Sequence, residues 1–154
     1  MERSRRRRGA VAPTPRGRAA LNRRYIGETG YASDASVFDQ VKEIVQWTKE
    51  LGIYCVIDWH VLTPGDPRAP TYSEAIPWWE GVATMYKDEP HVIYEIANEP
   101  NGVGWNAVRG YHNSVIAAIR AIDPETIIIA GTTTWSQDIH KAAAKPVAEP
   151  YNVM

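Results

Sequence analysis

Three short apolar runs alternate with helix-like segments, and each run stops in a polar or aromatic cluster. Ile53-Tyr54-Cys55-Val56-Ile57 ends in Asp58-Trp59-His60. Val92-Ile93-Tyr94-Glu95-Ile96-Ala97 ends in Asn98-Glu99-Pro100, where Pro100 lacks the N–H a strand ladder needs. The third run, 126–130, ends in Gly131-Thr132-Thr133-Thr134-Trp135-Ser136. Near-continuous apolar strands of this length are those of a parallel sheet buried on both faces. Val37, Val41, Ile44, Val45 and Thr48 recur at helical spacing, from a capping segment at 34–36 to a stop at Gly52. The pattern predicts further helices over 73–86 (despite Pro77), 105–122 and 137–144, and a strand starting at Asn152-Val153-Met154.

Strands alternating with helices imply the α/β class, with a parallel sheet and right-handed crossovers. A doubly wound open sheet usually carries a Gly-rich phosphate turn after its first strand, and this sequence has none. A (β/α)₈ TIM barrel brings its strand ends to one rim and builds its site there. Such a barrel typically needs about 250 residues, and this chain has 154, so the expected fold is an incomplete barrel.

Charge divides the chain. The first 24 residues hold nine arginines and one acid, Glu2, whereas the rest holds 8 basic and 17 acidic residues. Residues 1–24, with Gly9, Pro13, Pro15 and Gly17 among the arginines, read as a disordered segment, and 25–154 as the folded domain. The mildly acidic body argues against nucleic acid as its partner. No apolar run has membrane-spanning length, and none follows the arginines as a signal peptide would require. The lone Cys55 reads as a small buried hydrophobe. His60, His91, His112 and His140 show no metal-ligand spacing.

Glu99 is the candidate general acid/base, because glycoside cleavage uses a protonated carboxyl beside the glycosidic oxygen. Asn98 is placed to hold a sugar hydroxyl, although both residues also suit the plain capping of a strand end. His60 suits either a pocket hydrogen bond or a buried histidine satisfied by a carbonyl. Asp58 and Glu95 share strand parity with His60 and Glu99 and are expected to point into the barrel in supporting roles. The chain has 6 Trp and 8 Tyr against 1 Phe, side chains that join an apolar face to a polar edge. Trp59 and Trp135, at strand ends, are candidate sugar platforms, and Trp105 a candidate lining residue. Trp47, Trp78 and Trp79 read as packing residues.

Residues from about Tyr25 to Met154 resemble glycoside hydrolase family 5, in particular bacterial endo-β-1,4-glucanases. The carriers are Lys49-Glu50-Leu51-Gly52-Ile53-Tyr54, Val56-Ile57-Asp58-Trp59-His60, the run from Val92 to Gly102, Ile127-Ile128-Ile129 with Gly131-Thr132, and Thr134-Trp135-Ser136-Gln137-Asp138. The resemblance implies roughly strands 3 to 5 of the barrel. It implies retaining hydrolysis of cellulose or β-glucan outside the cell, without metal or organic cofactor. Glu99 would be the acid/base, Asn98 the neighbour touching sugar and nucleophile, His60 a pocket residue and Trp135 a further site residue. Arg18-Ala19-Ala20-Leu21 echoes the family's Arg-Ala-Ala-Met, which makes Arg18 a candidate active-site arginine, but Asn22-Arg23-Arg24 then intervenes where the family has no spacer. The family's nucleophile is a Glu on the seventh strand, beyond the matched region, so the chain alone is expected to be inactive and to self-associate through its open sheet. The alternatives are a non-catalytic carbohydrate-binding remnant, a related mannan or xylan hydrolase, and association with nucleic acid or membranes through the arginines.

Overall fold

The computed structural model describes the backbone of residues 19–22 and all of residues 36–154. Four strands form one parallel sheet in the order β1-β2-β3-β4: β1 Ala19–Asn22, β2 Cys55–His60, β3 Val92–Glu95 and β4 Ile127–Ile129. Helices α1 Val37–Leu51, α2 Ala75–Tyr86 and α3 Trp105–Arg120 lie between successive strands. Spatial order follows chain order, which is barrel winding. A doubly wound sheet reverses order at a switch point.

The first strand corrects the expected boundary at residue 24. Ala20 is in register with Asp58 and Asn22 with His60, so 19–22 belong to the sheet. A four-residue Ala-Ala-Leu-Asn strand carries too little periodicity to stand out beside an arginine-rich segment. The remainder of the expected disordered segment, Arg18 included, lies outside the described residues.

Each helix follows from its apolar spacing. Val41, Val45 and Thr48 are the buried stripe of α1, which ends where Gly52 adopts φ 66° and donates its N–H to Lys49 O. Pro77 is compatible with α2 because it sits in the first turn, where no N–H partner exists anyway. Trp105, Val108, His112, Val115, Ile116 and Ile119 form the buried face of α3. Asp123 Oδ1 then accepts the N–H groups of Glu125 and Thr126, turning the chain into β4. Beyond β4, Ile128 bridges Val153 in parallel, with Met154 N–H on Ile128 O and Ala130 N–H on Met154 O. Of the strand expected at 152–154, the structure forms this single bridge at Val153.

The core lies between sheet and helices. Cys55, Ile57 and Trp59 of β2 and Tyr94 of β3 face this layer. Trp59 meets Trp78 edge-on at 5.2 Å, and Trp79 lies 5.3 Å from Tyr94. Cys55 is the small hydrophobe expected, and burial pushes its thiol up from the ordinary value. Trp47 departs from the packing role expected of it and is exposed.

Candidate active site

The carboxyl ends of β2, β3 and β4 lie side by side, and the chain after each carries the residues singled out above. On β2, strand alternation sends Asp58 and His60 to the face opposite the helices. Asp58 is 0% exposed, and its Oδ2 accepts the Nδ1 proton of His60 at 2.7 Å. The pair fixes the imidazole's orientation at the rim. Asp58 Oδ1 has no partner among the described residues. Glu95, buried on β3, is the register partner of Asp58.

Beyond β3 the chain stays pinned for three more residues. Ile96 N–H donates to Ile129 O on one side and Asn98 N–H to Trp59 O on the other. Asn98 is buried. Glu99 then turns out of the sheet at φ 37° with its side chain exposed. A non-glycine residue at positive φ costs energy and persists only where its surroundings hold it. Here they do: Asn101 Nδ2 donates to Glu99 O at 3.1 Å, and Asn101 N–H donates to Gly65 O at 3.0 Å. A Cβ on Gly65 would lie 2.3 Å from Asn101 Nδ2 and 2.7 Å from Asn101 N, so only glycine lets the β2 and β3 loops close on each other.

After β4, residues Thr133–Ser136 form a tight turn, α4, before α5 at Ile139–Ala144. Thr134, Trp135 and Ser136 all adopt positive φ, 57°, 53° and 62°. The Trp135 N–H donates to Pro100 O, and the ring is 56% exposed. Asp138 holds this turn from below. Its Oδ2 accepts from Thr133 Oγ1, Thr134 Oγ1 and Lys141 Nζ, which keep its carboxyl well below the usual carboxylate range.

Two expected site residues are not at the rim opening. Trp59 is 2% exposed with its ring in the Trp78 cluster, so it offers no face to a ligand. Strand alternation is the reason: Asp58 and His60 take the barrel side, and Trp59 between them takes the helix side. Trp105 is buried and donates Nε1–H to Lys145 O. His60, Asn98, Glu99 and Trp135 thus remain at adjoining strand ends, whose backbones are joined by Asn98 N–H on Trp59 O and Trp135 N–H on Pro100 O.

Several supporting groups lay outside the sequence expectations. Tyr111 OH donates to Ile96 O at 2.7 Å, and His112 Nε2–H to Gly131 O at 2.9 Å, tying α3 to two strand ends. Tyr72, buried after β2, packs edge-on against Tyr111, and burial, with Asp58 and Asp66 adding, raises its phenol above the ordinary value. The spacing Val108, His112, Val115, Ile119 already places His112 on the buried stripe of α3, a signal available in the sequence. Gly65 and Asn101, 36 positions apart, left no such trace.

Among the described residues no group of three or more His, Cys, Asp or Glu is arranged to hold a metal ion. No described helix is long and apolar enough to cross a membrane. A cavity of about 480 Å³, lined by Lys87, Glu89, Asp123 and Glu125 among others, opens at the opposite end of β3 and β4, away from these groups.

Residues 18–154 match the family model for cellulase, glycosyl hydrolase family 5. The chain belongs to glycosyl hydrolase family 5. It is 47% identical over 140 residues to Endoglucanase A of Evansella cellulosilytica, covering 89% of this chain and 28% of that protein. It is 45% identical over 128 residues to Endoglucanase N of Pectobacterium atrosepticum, covering 82% of this chain and 29% of that one. Its fold is similar to that of cellulase Cel5C_n, with a TM-score of 0.81 and 43% identity over 89% of this chain and 44% of the other. A form of the Thermobifida fusca Cel5A endoglucanase catalytic domain in complex with cellotetraose aligns with a TM-score of 0.80 and 35% identity, over 89% of this chain and 46% of that one. These neighbours make the sheet part of a family 5 barrel. The chain spans less than two fifths of the length of these curated relatives.

Proposed function

We propose that this chain supplies the acid/base half of a retaining endo-β-1,4-glucanase acting on cellulose or a related β-glucan. The observation that carries the reading is the Asn98-Glu99-Pro100 turn: an exposed carboxyl at the carboxyl end of a parallel barrel strand, beside His60 and the Trp135 turn. In this reading the Glu99 carboxylic acid protonates the glycosidic oxygen as the C–O bond breaks. A second carboxylate takes the anomeric carbon as a covalent glycosyl-enzyme. Ionised Glu99 then accepts a proton from the water that releases the sugar. Asn98 and His60 hold sugar hydroxyls, and the exposed Trp135 ring stacks on a pyranose face. A polymeric substrate places the enzyme outside the cell.

A retaining pair of carboxyls stands about 5–5.5 Å apart. Asp58 is buried and committed to His60, Glu95 is buried beside it, and Asp138 is held by two threonines and a lysine. Their placement leaves none of these three free to serve, which supports a nucleophile contributed from elsewhere in the barrel, so in this reading the chain alone binds sugar without turning it over. The test has two arms. The chain alone is assayed for reducing sugar released from soluble cellulose, and ordinary cellulase turnover there refutes the divided site. The chain is then joined to the remaining barrel half of a family relative, where Glu99→Gln abolishes turnover and leaves cellotetraose binding in place. The exposed Trp135 ring also favours a second reading, a binding-only role, and an inactive joined barrel that still binds cellotetraose selects it.

A further inference from the structure

The imidazole of His112 is wholly buried, 0% exposed, in the middle of α3. Its ring lies 6.1 Å from that of Trp105 and 5.6 Å from that of Tyr111. Its Nε2–H donates to the Gly131 carbonyl, and its Nδ1 has no partner among the described residues. A buried acceptor without a donor is costly, and an apolar side chain of similar size would avoid the cost. What such a side chain would lose is the hold on Gly131.

Gly131 is one point where the β3 and β4 loops touch. A Cβ there would lie 3.0 Å from Ala97 O, 3.1 Å from Pro100 Cδ and 2.9 Å from Ser136 Oγ. Its backbone therefore rests against the segment 97–100 that carries Asn98 and Glu99. One step further on, Trp135 N–H closes onto Pro100 O. A shift of the Gly131 peptide moves both loops relative to each other.

We propose that His112 is a positioning residue: by gripping the Gly131 carbonyl it sets the gap between the Glu99 turn and the Trp135 turn. Its neighbour Tyr111 holds Ile96 O, so two consecutive side chains of one helix grip two adjacent strand ends. Burial favours the neutral ring, pulling its pKa down to about 4, which keeps a single N–H for Gly131. The sugar-binding arm of the test rests on the glucanase reading, and the backbone arm does not.

The test compares the 154-residue chain with His112→Leu and His112→Gln. Glutamine keeps an N–H near the Nε2 position. Amide hydrogen exchange is read at Trp135, with Cys55, whose N–H donates to His91 O at the other end of the sheet, as control. Cellotetraose affinity is measured alongside. In His112→Leu, Trp135 protection falls about tenfold relative to Cys55 and the cellotetraose Kd rises about tenfold, the scale of one lost buried hydrogen bond. His112→Gln stays near the parent in both. Unchanged Trp135 protection in His112→Leu overturns the proposal. So does an equal fall at Trp135 and Cys55 in both variants, which would make the histidine a packing residue only. A parent chain that does not bind cellotetraose counts against the glucanase reading, while the exchange comparison still decides the part played by His112.

Discussion

The backbone N–H of Trp135 donates to the carbonyl of Pro100 at 3.2 Å, joining the turn after β4 to the turn that presents Glu99. Trp135 sits there at φ 53° with more than half its surface in solvent. The strained conformation therefore holds an exposed aromatic ring on the turn bonded to the one that carries Glu99, an arrangement that core packing does not require.

Trp135→Ala accordingly separates binding from stability. With so exposed a ring, the urea midpoint should move by no more than about 0.5 kcal/mol in stability. Cellotetraose affinity, measured by calorimetry, should fall at least about tenfold through loss of stacking area. A large stability loss with unchanged affinity would make Trp135 a structural residue.

Gly65→Ala should be far more damaging than its place in a loop suggests. The added methyl overlaps Asn101 side chain and backbone together, so the β2 and β3 loops must part. Overpacking of this kind costs about 1–3 kcal/mol. Chemical denaturation measures it, and Asn101→Gly in the same background should recover part of the loss.

Asp58→Ala removes the acceptor that orients His60. Breaking a buried charge-assisted hydrogen bond typically costs about 1.5–3 kcal/mol. Asp58→Asn keeps an acceptor oxygen for the Nδ1 proton and should retain more of the sugar affinity. Equal losses in the two variants would show that the carboxylate's charge, and not His60's orientation, is what matters.

His112 makes the chain sensitive to acid. Its folded pKa is pulled by burial from 6.5 to about 4. A histidine kept neutral in the fold contributes stability that is complete above about 6.5 and is lost as pH falls toward 4. The urea midpoint of the parent should therefore drop more between pH 7 and pH 4 than that of His112→Gln. Identical pH dependence in the two would contradict the buried neutral ring.

Tyr111→Phe deletes the hydroxyl that donates to Ile96 O, just before the Asn98-Glu99-Pro100 turn. The expected stability loss is about 0.5–1.5 kcal/mol. Amide exchange at Asn98, whose N–H is held by Trp59 O, should speed up with it.

Much of the fold was legible because it is written in neighbouring residues. The apolar runs, the Gly52 stop and the 3–4 spacing of α1 and α3 are local patterns, and each produced its element. The edges were less legible. Ala19–Asn22 is too short to show a period, and the turn at Thr133–Ser136 depends on Asp138 gathering two threonine hydroxyls and a lysine. Trp59 was misplaced because a strand-end aromatic reads alike whether its parity sends it to the pocket or to the helices.

From the sequence alone came the alternation of strands and helices, the family resemblance, and the positions of His60, Asn98, Glu99 and Trp135 at strand ends. These follow from periodicity and from residue chemistry within a few positions. The tertiary structure decided what holds the segments that carry them: Gly65 against Asn101, His112 on Gly131, Trp135 on Pro100. Those contacts join segments tens of residues apart. Their existence depends on sheet register and loop approach, which no local pattern encodes.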